Sequence, residues 1–373
     1  MFERSNTTSD IEERRRKADA RLRATMDPAD VQLADRMDAI RKMNCSTPRD
    51  ALVKEYLGTM KRSLISQNGE KKAKILFIVG ESNAGKSRLI ENAIAGDPAF
   101  YSYDDEDGHA KQLLRTTTPS PCTQRNVAIR FVKDLGFPVR DDILKTRAWP
   151  LLEDQIRFHR VRWGIIDEAQ RMMKVDNPSD LQEVSDNLIS LVDAVDWPIR
   201  LVVLGVPPLA DLRERDKQMS ERSKIIELSP VPADKTGRVE IWITEVIVDH
   251  AGLVMHPADF TPQNRVLIAE KLIHGCAGNA GSIIEHIRSA VEVAIRADRS
   301  VVLISDFAQA YYNQTRCLPH DNIFEVSTWK AVPEGAAKIM EPIEPKPELG
   351  DQPEKQVDEN AGFKKPKTGD RPR

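Results

Sequence analysis

Long apolar runs are absent from this sequence, and aromatic residues are scarce. A helix that crosses a bilayer needs about 20 consecutive apolar residues, and no run in the chain approaches that length. The N-terminal residues 1–17 are polar and of mixed charge, which does not fit a secretion signal. Although aromatic residues make up only 5% of the chain, 40% of its residues are hydrophobic, which is enough for a core. We therefore expect a globular protein rather than a membrane protein.

Cysteine is also scarce. The chain has no CxxC pair and no histidine cluster beside a cysteine; its four cysteines are Cys45, Cys122, Cys276 and Cys317. This pattern argues against a disulfide framework and against a structural zinc site. It favours a reducing compartment, and we expect the cytoplasm.

Neither sign of charge is in large excess, because the formal net charge is −3. This balance does not decide whether the chain binds nucleic acid, since a local basic patch is sufficient for that. The run Arg14-Arg15-Arg16-Lys17 is one such patch. It could contact phosphates, or it could be the solvated face of a helix, and the sequence leaves both interpretations open.

Composition divides the 373 residues into four parts. Residues 1–46 are charged and weakly patterned, which predicts a helical arm. Residues 47–232 alternate strand-like apolar runs with helical segments, which is typical of an α/β fold with a parallel sheet between helices. Residues 233–330 have helical patterns and little strand signal, so we predict a small helical domain. Residues 331–373 are rich in proline and charge, which predicts a disordered tail whose basic end either tethers a partner or is inert.

A phosphate-binding motif follows the first strong strand. Gly80-Glu-Ser-Asn-Ala-Gly85-Lys86-Ser87 matches GxxxxGK[ST] in full, after the apolar strand Ile75–Val79 and before a helix. In such a P-loop the backbone N–H groups and the helix N-terminus bind phosphates, Lys86 reaches the β- and γ-phosphates, and Ser87 ligates Mg²⁺. The predicted ATP-binding residues are Gly80, Glu81, Ser82, Asn83, Ala84, Gly85, Lys86, Ser87 and Arg88.

A second acidic motif lies 80 residues further along. The apolar run Trp163-Gly-Ile-Ile166 ends in Asp167-Glu168, which is the Walker B pattern. Asp167 would hold the Mg²⁺ shell, and Glu168 would act as the general base that activates water. Together the two motifs predict an Mg²⁺-dependent ATPase.

Two further features are typical of oligomeric ATPases. The strand Ile199–Leu204 should lie between the two Walker strands, and its tip usually presents a polar sensor to the γ-phosphate; here Gly205-Val206 has no side-chain donor. A backbone group or an ordered water could replace it, or sensing could be absent. Arg222, before another apolar strand, is our candidate for an arginine that acts on the neighbouring subunit's nucleotide. Arg213 and Arg215 compete for that role, and a surface salt bridge is the alternative.

These four elements, followed by helices, resemble an AAA+ ATPase with a helical lid, and more closely the TniB/TnsC family of transposition regulators. The resemblance spans roughly residues 45–315. The segments that carry it are Thr47-Pro48-Arg49, Val79-Gly80-Glu81-Ser82, Thr118-Pro-Ser-Pro-Cys-Thr, Ile166-Asp-Glu-Ala-Gln170, Val203-Leu-Gly-Val-Pro207, and Gln218 with Arg222. On this resemblance, residues 47–232 are the AAA+ core, residues 233–330 are the lid, and the helix start at Thr47 packs beside the adenine.

The resemblance implies an ATP-dependent adaptor rather than a recombinase. Family members assemble as ATP-bound rings or filaments on duplex DNA, receive a target-selection protein, and recruit the transposase; hydrolysis then disassembles the complex. DNA contacts would be to phosphates, and therefore independent of base sequence and sensitive to salt. The candidate DNA-binding residues are Lys111, Arg115, Arg125, Lys145 and Arg147. For each of them, an ordinary solvated cation is the alternative.

The chain departs from the family pattern at two positions. Val206 is apolar at the sensor strand, and Ser282 stands where a lid arginine often contacts the phosphate, with Arg288 a less well placed substitute. We therefore expect strong nucleotide binding but slow hydrolysis. Two alternatives stay open: an initiator or helicase-loader ATPase of the Cdc6 or IstB type, and a P-loop scaffold that does not hydrolyse nucleotide. An initiator normally carries a winged-helix domain after the lid, where we predict only a tail, and the intact Asp167-Glu168 argues against the scaffold.

Overall fold

A computed structural model gives the fold of residues 8–66, 74–174 and 178–339. The helices are α1 Thr8–Thr25, α2 Pro28–Lys42, α3 Pro48–Ile65, α4 Lys86–Ile94, α5 Gln124–Asp134, α6 Lys145–Phe158, α7 Pro178–Asp193, α8 Leu209–Arg215, α9 Lys217–Arg222, α10 Thr236–Thr244, α11 Pro262–Gly275, α12 Ala280–Arg296 and α13 Ile304–Thr315. The strands are β1 Ile75–Gly80, β2 Tyr103–Asp105, β3 Gly108–Ala110, β4 Leu113–Thr117, β5 Trp163–Asp167, β6 Arg200–Gly205, β7 Ser223–Leu228, β8 Val254–Met255 and β9 Val301–Val302.

The main sheet is parallel and has the strand order β4-β5-β6-β1-β7. Every residue of β1 and β6 is buried, as expected for apolar strands covered on both faces. Helices α5, α6 and α7 cover one face, and α3 and α4 cover the other. The predicted α/β fold is confirmed, including the position of β6 between the two Walker strands. Since the strands are parallel, the ends of β1, β5 and β6 meet at one edge of the sheet.

The lid is built from α10 to α13. Helix α10 continues through a π-helical turn, Glu245–His250, and the short strands β8 and β9 pair beside it. Helix α12 places Ile283, Ile287 and Val291 in the lid core, where they are fully buried. The predicted helical lid is therefore confirmed.

The N-terminal arm is helical, and its second helix belongs to the lid core. Asp27 accepts a hydrogen bond from the Ala29 backbone N–H at 2.8 Å and so caps the start of α2. Met37 and Ile40 of α2 are buried among the lid's apolar residues. The basic run 14–17 lies on α1 and is exposed. The arm is thus joined to the lid through α2.

Residues 331–339, which the sequence assigned to the start of the tail, are packed on the lid. Trp329 and Ala337 are buried in the lid core. The Ala337 backbone N–H donates to the Gly275 carbonyl at 2.8 Å, and the Gly335 N–H donates to the His274 carbonyl at 2.9 Å. The apolar burial and the backbone hydrogen bonds offset the entropy cost of ordering this segment. The rest of the predicted tail lies outside the described residues.

Within the three described ranges, no helix combines the length and the apolar character that a membrane span requires. Cys45, Cys122, Cys276 and Cys317 are free thiols in the structure. Burial raises the pKa of Cys45 to about 11 and that of Cys122 to about 12, so these thiols stay protonated near neutral pH.

Candidate nucleotide site

The P-loop joins the buried strand β1 to helix α4. Asn83 and Gly85 have left-handed φ angles of 59° and 89°, the second of which favours glycine, and the loop curls so that α4 begins at Lys86. The Lys86 ammonium donates to the carbonyl oxygens of Gly80 and Glu81, each at 2.9 Å. The loop therefore holds its lysine over its own concave face, from which it can reach a phosphate.

The two Walker motifs meet at the ends of β1 and β5. The Ser87 hydroxyl donates to Asp167 Oδ2 at 3.1 Å. A hydroxyl and a carboxylate that converge in this way supply the hard oxygen ligands that Mg²⁺ prefers. Among residues whose positions are described, no group of three or more His, Cys, Asp or Glu side chains could hold a metal. The arrangement suits an ion that takes one or two protein ligands and completes its shell with phosphate and water.

Glu168 has an unusual backbone conformation for its residue type. Its φ is 54°, in the left-handed region, and its N–H donates to Asp167 Oδ1 at 2.8 Å. Backbone strain of this kind is concentrated at functional sites. The Gln170 amide donates to Glu168 Oε2 at 2.7 Å, and Gln170 Oε1 accepts from the Val206 N–H at 3.3 Å. The tip of β6 is thus linked to Glu168 through the side chain of Gln170.

A cavity of about 70 Å³ lies beside the P-loop. Its walls come from residues 44–50, the P-loop, Leu228 and helix α12. The helix start that the resemblance placed near the adenine therefore does border the P-loop.

The lid touches the P-loop through the N-terminus of α12. The Asn279 amide donates to the Ser82 carbonyl at 2.9 Å, while Asn279 Oδ1 caps α12 by accepting from the Ser282 N–H at 3.0 Å. A Cβ added at Gly281 would lie 1.7 Å from the Asn83 carbonyl oxygen. Glycine is therefore required where α12 approaches the loop.

The segment 334–339, which we call the C-terminal strap, also reaches the P-loop. Asn83 donates through its side-chain amide to the Ile339 carbonyl at 2.9 Å, and the Lys338 ammonium lies 3.0 Å from Glu81 Oε2. Ser282 is fully buried, and its hydroxyl oxygen accepts from the Ile339 N–H at 3.1 Å. Ser282 therefore binds the strap. These strap residues were missed because they belong to residues 331–373, a stretch whose proline and charge content predicts no order.

Two arginines that the sequence placed near the phosphates, Arg88 on α4 and Arg288 on the lid helix α12, both contact the end of α2. Arg88 donates to the carbonyl oxygens of Arg41 at 2.9 Å and Met43 at 3.3 Å. Arg288 donates to the same two oxygens at 3.4 and 3.1 Å. They satisfy carbonyl groups that a helix C-terminus leaves unpaired. The arm, the P-loop helix and the lid therefore meet at this point.

Arg222 lies far from its own P-loop. Ser223 pairs in register with Ile75, five residues before Gly80, which is a distance of about 17 Å along the strand. The Arg222 guanidinium contacts Asp193 Oδ2 at 2.5 Å, and the Lys74 ammonium contacts the other oxygen at 2.6 Å. Burial alone would raise the pKa of Asp193, but the hydrogen bonds from Lys74 and Arg222 hold it below its ordinary value.

The two other arginines considered for the same role differ from Arg222. Arg213 donates to the Ser223 hydroxyl at 3.0 Å. The side chain of Arg215 lies outside the described part of the structure.

Of the predicted DNA-binding cations, Arg125 lies on α5, Arg147 lies on α6, and Lys111 lies just before the edge strand β4. Arg125 and Arg147 are exposed. Lys111 is half-buried and donates to the Asp134 carbonyl at 2.7 Å, and burial lowers its pKa. Its ammonium is therefore engaged within the protein.

The other two candidates are exposed members of ion pairs. Arg115 lies 3.7 Å from Glu91, and Lys145 lies 2.5 Å from Glu183. Exposed pairs of this kind contribute little to stability. Both cations can therefore exchange their partner for a phosphate at small cost.

Comparison with known proteins agrees with this geometry. Residues 48–231 match the family described as bacterial TniB protein. The tRNA modification GTPase MnmE of Streptococcus agalactiae is 24% identical over 224 residues, 60% of this chain and 43% of that protein. The MnmE of Streptococcus sanguinis is 25% identical over 226 residues, 60% of this chain and 44% of that protein. The chain thus spans less than half the length of these curated relatives.

A solved structure supports the fold. Cdc6p from Pyrobaculum aerophilum aligns with a TM-score of 0.52 at 14% identity, over 74% of this chain and 70% of that chain. At this level of identity the likeness concerns the fold alone. With the sheet order, the two Walker motifs and the match over residues 48–231 in agreement, the chain has the P-loop fold of the AAA+ type and belongs to the TniB family.

Proposed function

We propose that this chain is an Mg²⁺-dependent ATPase that assembles on duplex DNA and links a target-selection protein to a transposase. The observation that carries the proposal is the contact of the Ser87 hydroxyl with Asp167 at 3.1 Å, next to Glu168, in a chain of the TniB family. This is the pair of oxygen ligands that Mg²⁺ shares with a nucleotide in P-loop enzymes.

The residues around the pair have distinct roles in the proposed reaction. Lys86 exchanges its two carbonyl partners for phosphate oxygens, and the loop N–H groups hold the β-phosphate. Ser87 and Asp167 would hold Mg²⁺, which neutralises charge on the phosphates when bound. Glu168 takes the proton of the attacking water.

The base is proposed to be adenine, although the MnmE relatives are GTPases by name. The N1–H and N2–H edge of guanine needs an acceptor such as a carboxylate. Asp50 lines the cavity, and its carboxylate is already partly engaged, because Oδ2 accepts from the Thr47 N–H at 2.6 Å and from the Thr47 hydroxyl at 2.7 Å. The remaining walls include apolar Leu228 and Ile284, which suit a stacked adenine.

Assembly is proposed from the position of Arg222. Because it lies about 17 Å from its own P-loop, it can reach a γ-phosphate only in a neighbouring subunit. A ring or filament on DNA would supply that neighbour. Hydrolysis is expected to be slow, since Val206 has no polar side chain and Ser282 is buried against the strap.

DNA contact is proposed through exposed cations, above all Arg125 and Arg147. Each phosphate contact contributes about 0.9 to the slope of log affinity against log salt. Replacing both arginines with alanine should reduce that slope by about 1.8 and weaken binding for every duplex sequence alike. Lys330→Ala, at an exposed lid position, is the matched control and should leave the slope unchanged.

The central test is nucleotide turnover with and without duplex DNA. The wild-type chain should hydrolyse ATP in preference to GTP, and Glu168→Gln should bind ATP but lose turnover and remain locked on DNA. Glu325→Gln, at an exposed lid position, controls for the change of charge. Electron microscopy with duplex DNA and a non-hydrolysable ATP analogue should show rings or filaments. A wild-type chain without turnover above the Glu168→Gln background would instead favour the scaffold alternative.

A further inference from the structure

Gln170 joins two features of the site that sequence patterns treat separately. Its amide nitrogen donates to Glu168 Oε2 at 2.7 Å, and its amide oxygen accepts from the Val206 N–H at 3.3 Å. One half-buried side chain thus spans from the Walker B glutamate to the tip of β6.

The orientation of the Gln170 amide follows from its two partners. The Val206 N–H can only donate, so it requires the amide oxygen. The NH₂ group is then directed at Glu168, which accepts when it is ionised. A glutamine meets both requirements at once, whereas glutamate, methionine or a shorter amide would lose one or both bonds.

Gly205 allows this close approach. A Cβ added there would lie 2.9 Å from Gln170 Oε1 and 3.2 Å from the Gln170 backbone nitrogen. Because β6 lies between β1 and β5, its tip is the sheet position that borders both the P-loop and Glu168. This is where the polar side chain that Val206 lacks would stand.

We propose that Gln170 is a positioning residue that replaces the missing polar side chain of the β6 tip. The Gln170 amide holds the Glu168 carboxylate in a fixed position relative to the tip of β6. The general base and the strand tip therefore keep the same relative position beside the γ-phosphate. The proposal rests on the ATPase function proposed above. On this proposal, Gln170, which lies three residues after Asp167, is the side chain that links the general base Glu168 to the tip of β6.

The test separates binding from turnover. Gln170→Met keeps the length of the side chain and removes both hydrogen bonds. The rate constant kcat for ATP should fall about tenfold or more, a part of the 10²- to 10⁴-fold that a general base contributes. Binding of a fluorescent ATP analogue should change less than threefold, because the two hydrogen bonds of the Gln170 amide go to Glu168 and to the Val206 N–H. A kcat within twofold of wild type, or above it, would overturn the proposal.

A pH profile gives a readout that a purely structural role would not move. Gln170→Glu retains the acceptor for Val206 but places a second carboxylate 2.7 Å from Glu168. Two carboxylates so close cannot both be ionised, so the acid limb of kcat should move up by about one pH unit or more. Gln309→Glu makes the same change at an exposed position of α13 and should leave the profile in place. Equal profiles for Gln170→Glu and wild type would contradict the proposal.

Gly205→Ala tests the contact between Gln170 and the tip of β6 by changing the strand instead of the glutamine. Its added methyl group should displace the Gln170 amide and lower kcat as Gln170→Met does, with a melting curve to confirm that the variant is folded. A folded Gly205→Ala with wild-type kcat would count against the assigned role. The two proposals fail in different ways. A wild-type chain that does not hydrolyse ATP would contradict both the ATPase function and the role of Gln170. A chain that hydrolyses ATP at the same rate with and without Gln170 would contradict only the role of Gln170.

Discussion

Asn83 in the P-loop donates its side-chain amide hydrogen to the carbonyl oxygen of Ile339, 256 residues further along the chain. Ile339 in turn donates its N–H to Ser282 of the lid. The C-terminal strap is therefore bonded to the P-loop on one side and to helix α12 on the other. A rearrangement of the P-loop around a phosphate must break or move the strap.

We predict that the strap stabilises the lid. Ending the chain after Pro333 removes Ala337, whose carbonyl accepts from Gln314 at 2.6 Å and whose methyl group is buried. Loss of this burial and of several hydrogen bonds should lower the free energy of unfolding by about 2 kcal/mol, or the melting temperature by several degrees. Ending the chain after Met340 keeps the strap and is the matched control. Equal melting temperatures for the two truncations, measured by circular dichroism, would show that the strap contributes nothing.

A second prediction compares two glycines. Gly281→Ala would place a Cβ 1.7 Å from the Asn83 carbonyl oxygen, so either α12 or the P-loop must shift. We expect a loss of about 1–3 kcal/mol in stability and a changed affinity for ATP. Gly58→Ala, inside α3, meets only the end of the Arg62 side chain at 3.6 Å. It should stabilise the protein by about 0.5–1 kcal/mol. Thermal melts that move in the same direction for both variants would contradict this.

The sequence predicts the nucleotide end of the fold well because its motifs tie residue type to backbone geometry. Gly85 must adopt a left-handed φ, and Asp167 must come at the end of a buried strand, so both positions can be predicted from the sequence alone. The helix Pro262–Gly275 begins where local chemistry favours a helix start, since Thr261 caps it and Pro262 suits its first turn.

Other elements escape the sequence patterns for physical reasons. Strand β4 is at the sheet edge, and its residues Arg115 and Thr116 do not read as apolar, yet the following Thr118 N–H binds the Asp167 carbonyl at 2.9 Å. Helix α6 contains Pro150 in its interior, which ordinarily marks a break. Contacts between lid and P-loop join residues about 200 apart, so no local pattern contains them.

The buried His286 should make the lid sensitive to acid. Burial lowers its pKa to about 4, against the opposing effect of hydrogen bonds with Gln314 and Phe307. In the unfolded chain its pKa is about 6.5. Between these values the unfolded state binds more protons, so stability is lost as the pH falls from about 6.5 toward 4. The full loss from this one group is about 3 kcal/mol.

Urea unfolding at several pH values tests this contribution. His286→Gln should unfold with a smaller decrease in stability between pH 7 and pH 5 than the wild-type chain. His320→Gln replaces an exposed histidine and should keep the wild-type slope. If His286→Gln also keeps that slope, burial of His286 does not govern the acid response.

The last prediction concerns action between subunits. Arg222→Ala leaves both Walker motifs intact, so ATP binding should persist. Turnover should nevertheless fall about 10²-fold or more, because arginines that act on a neighbour's phosphate contribute 10³- to 10⁵-fold. Arg213→Ala is the control, since the Arg213 guanidinium donates to the nearby Ser223 hydroxyl and not to Asp193 Oδ2, which Arg222 contacts.

Mixing variants separates action in trans from a folding defect. Lys86→Ala cannot hold the phosphates but retains Arg222, and Arg222→Ala retains a complete P-loop. Each alone should be nearly inactive, whereas a mixture assembled on duplex DNA should recover turnover, because one subunit supplies the nucleotide site and the next supplies the guanidinium. The recovery requires Arg222 to leave Asp193, so Asp193→Asn should raise turnover or leave it unchanged. A mixture no more active than its components would mean that Arg222 serves only its own subunit's ion pair.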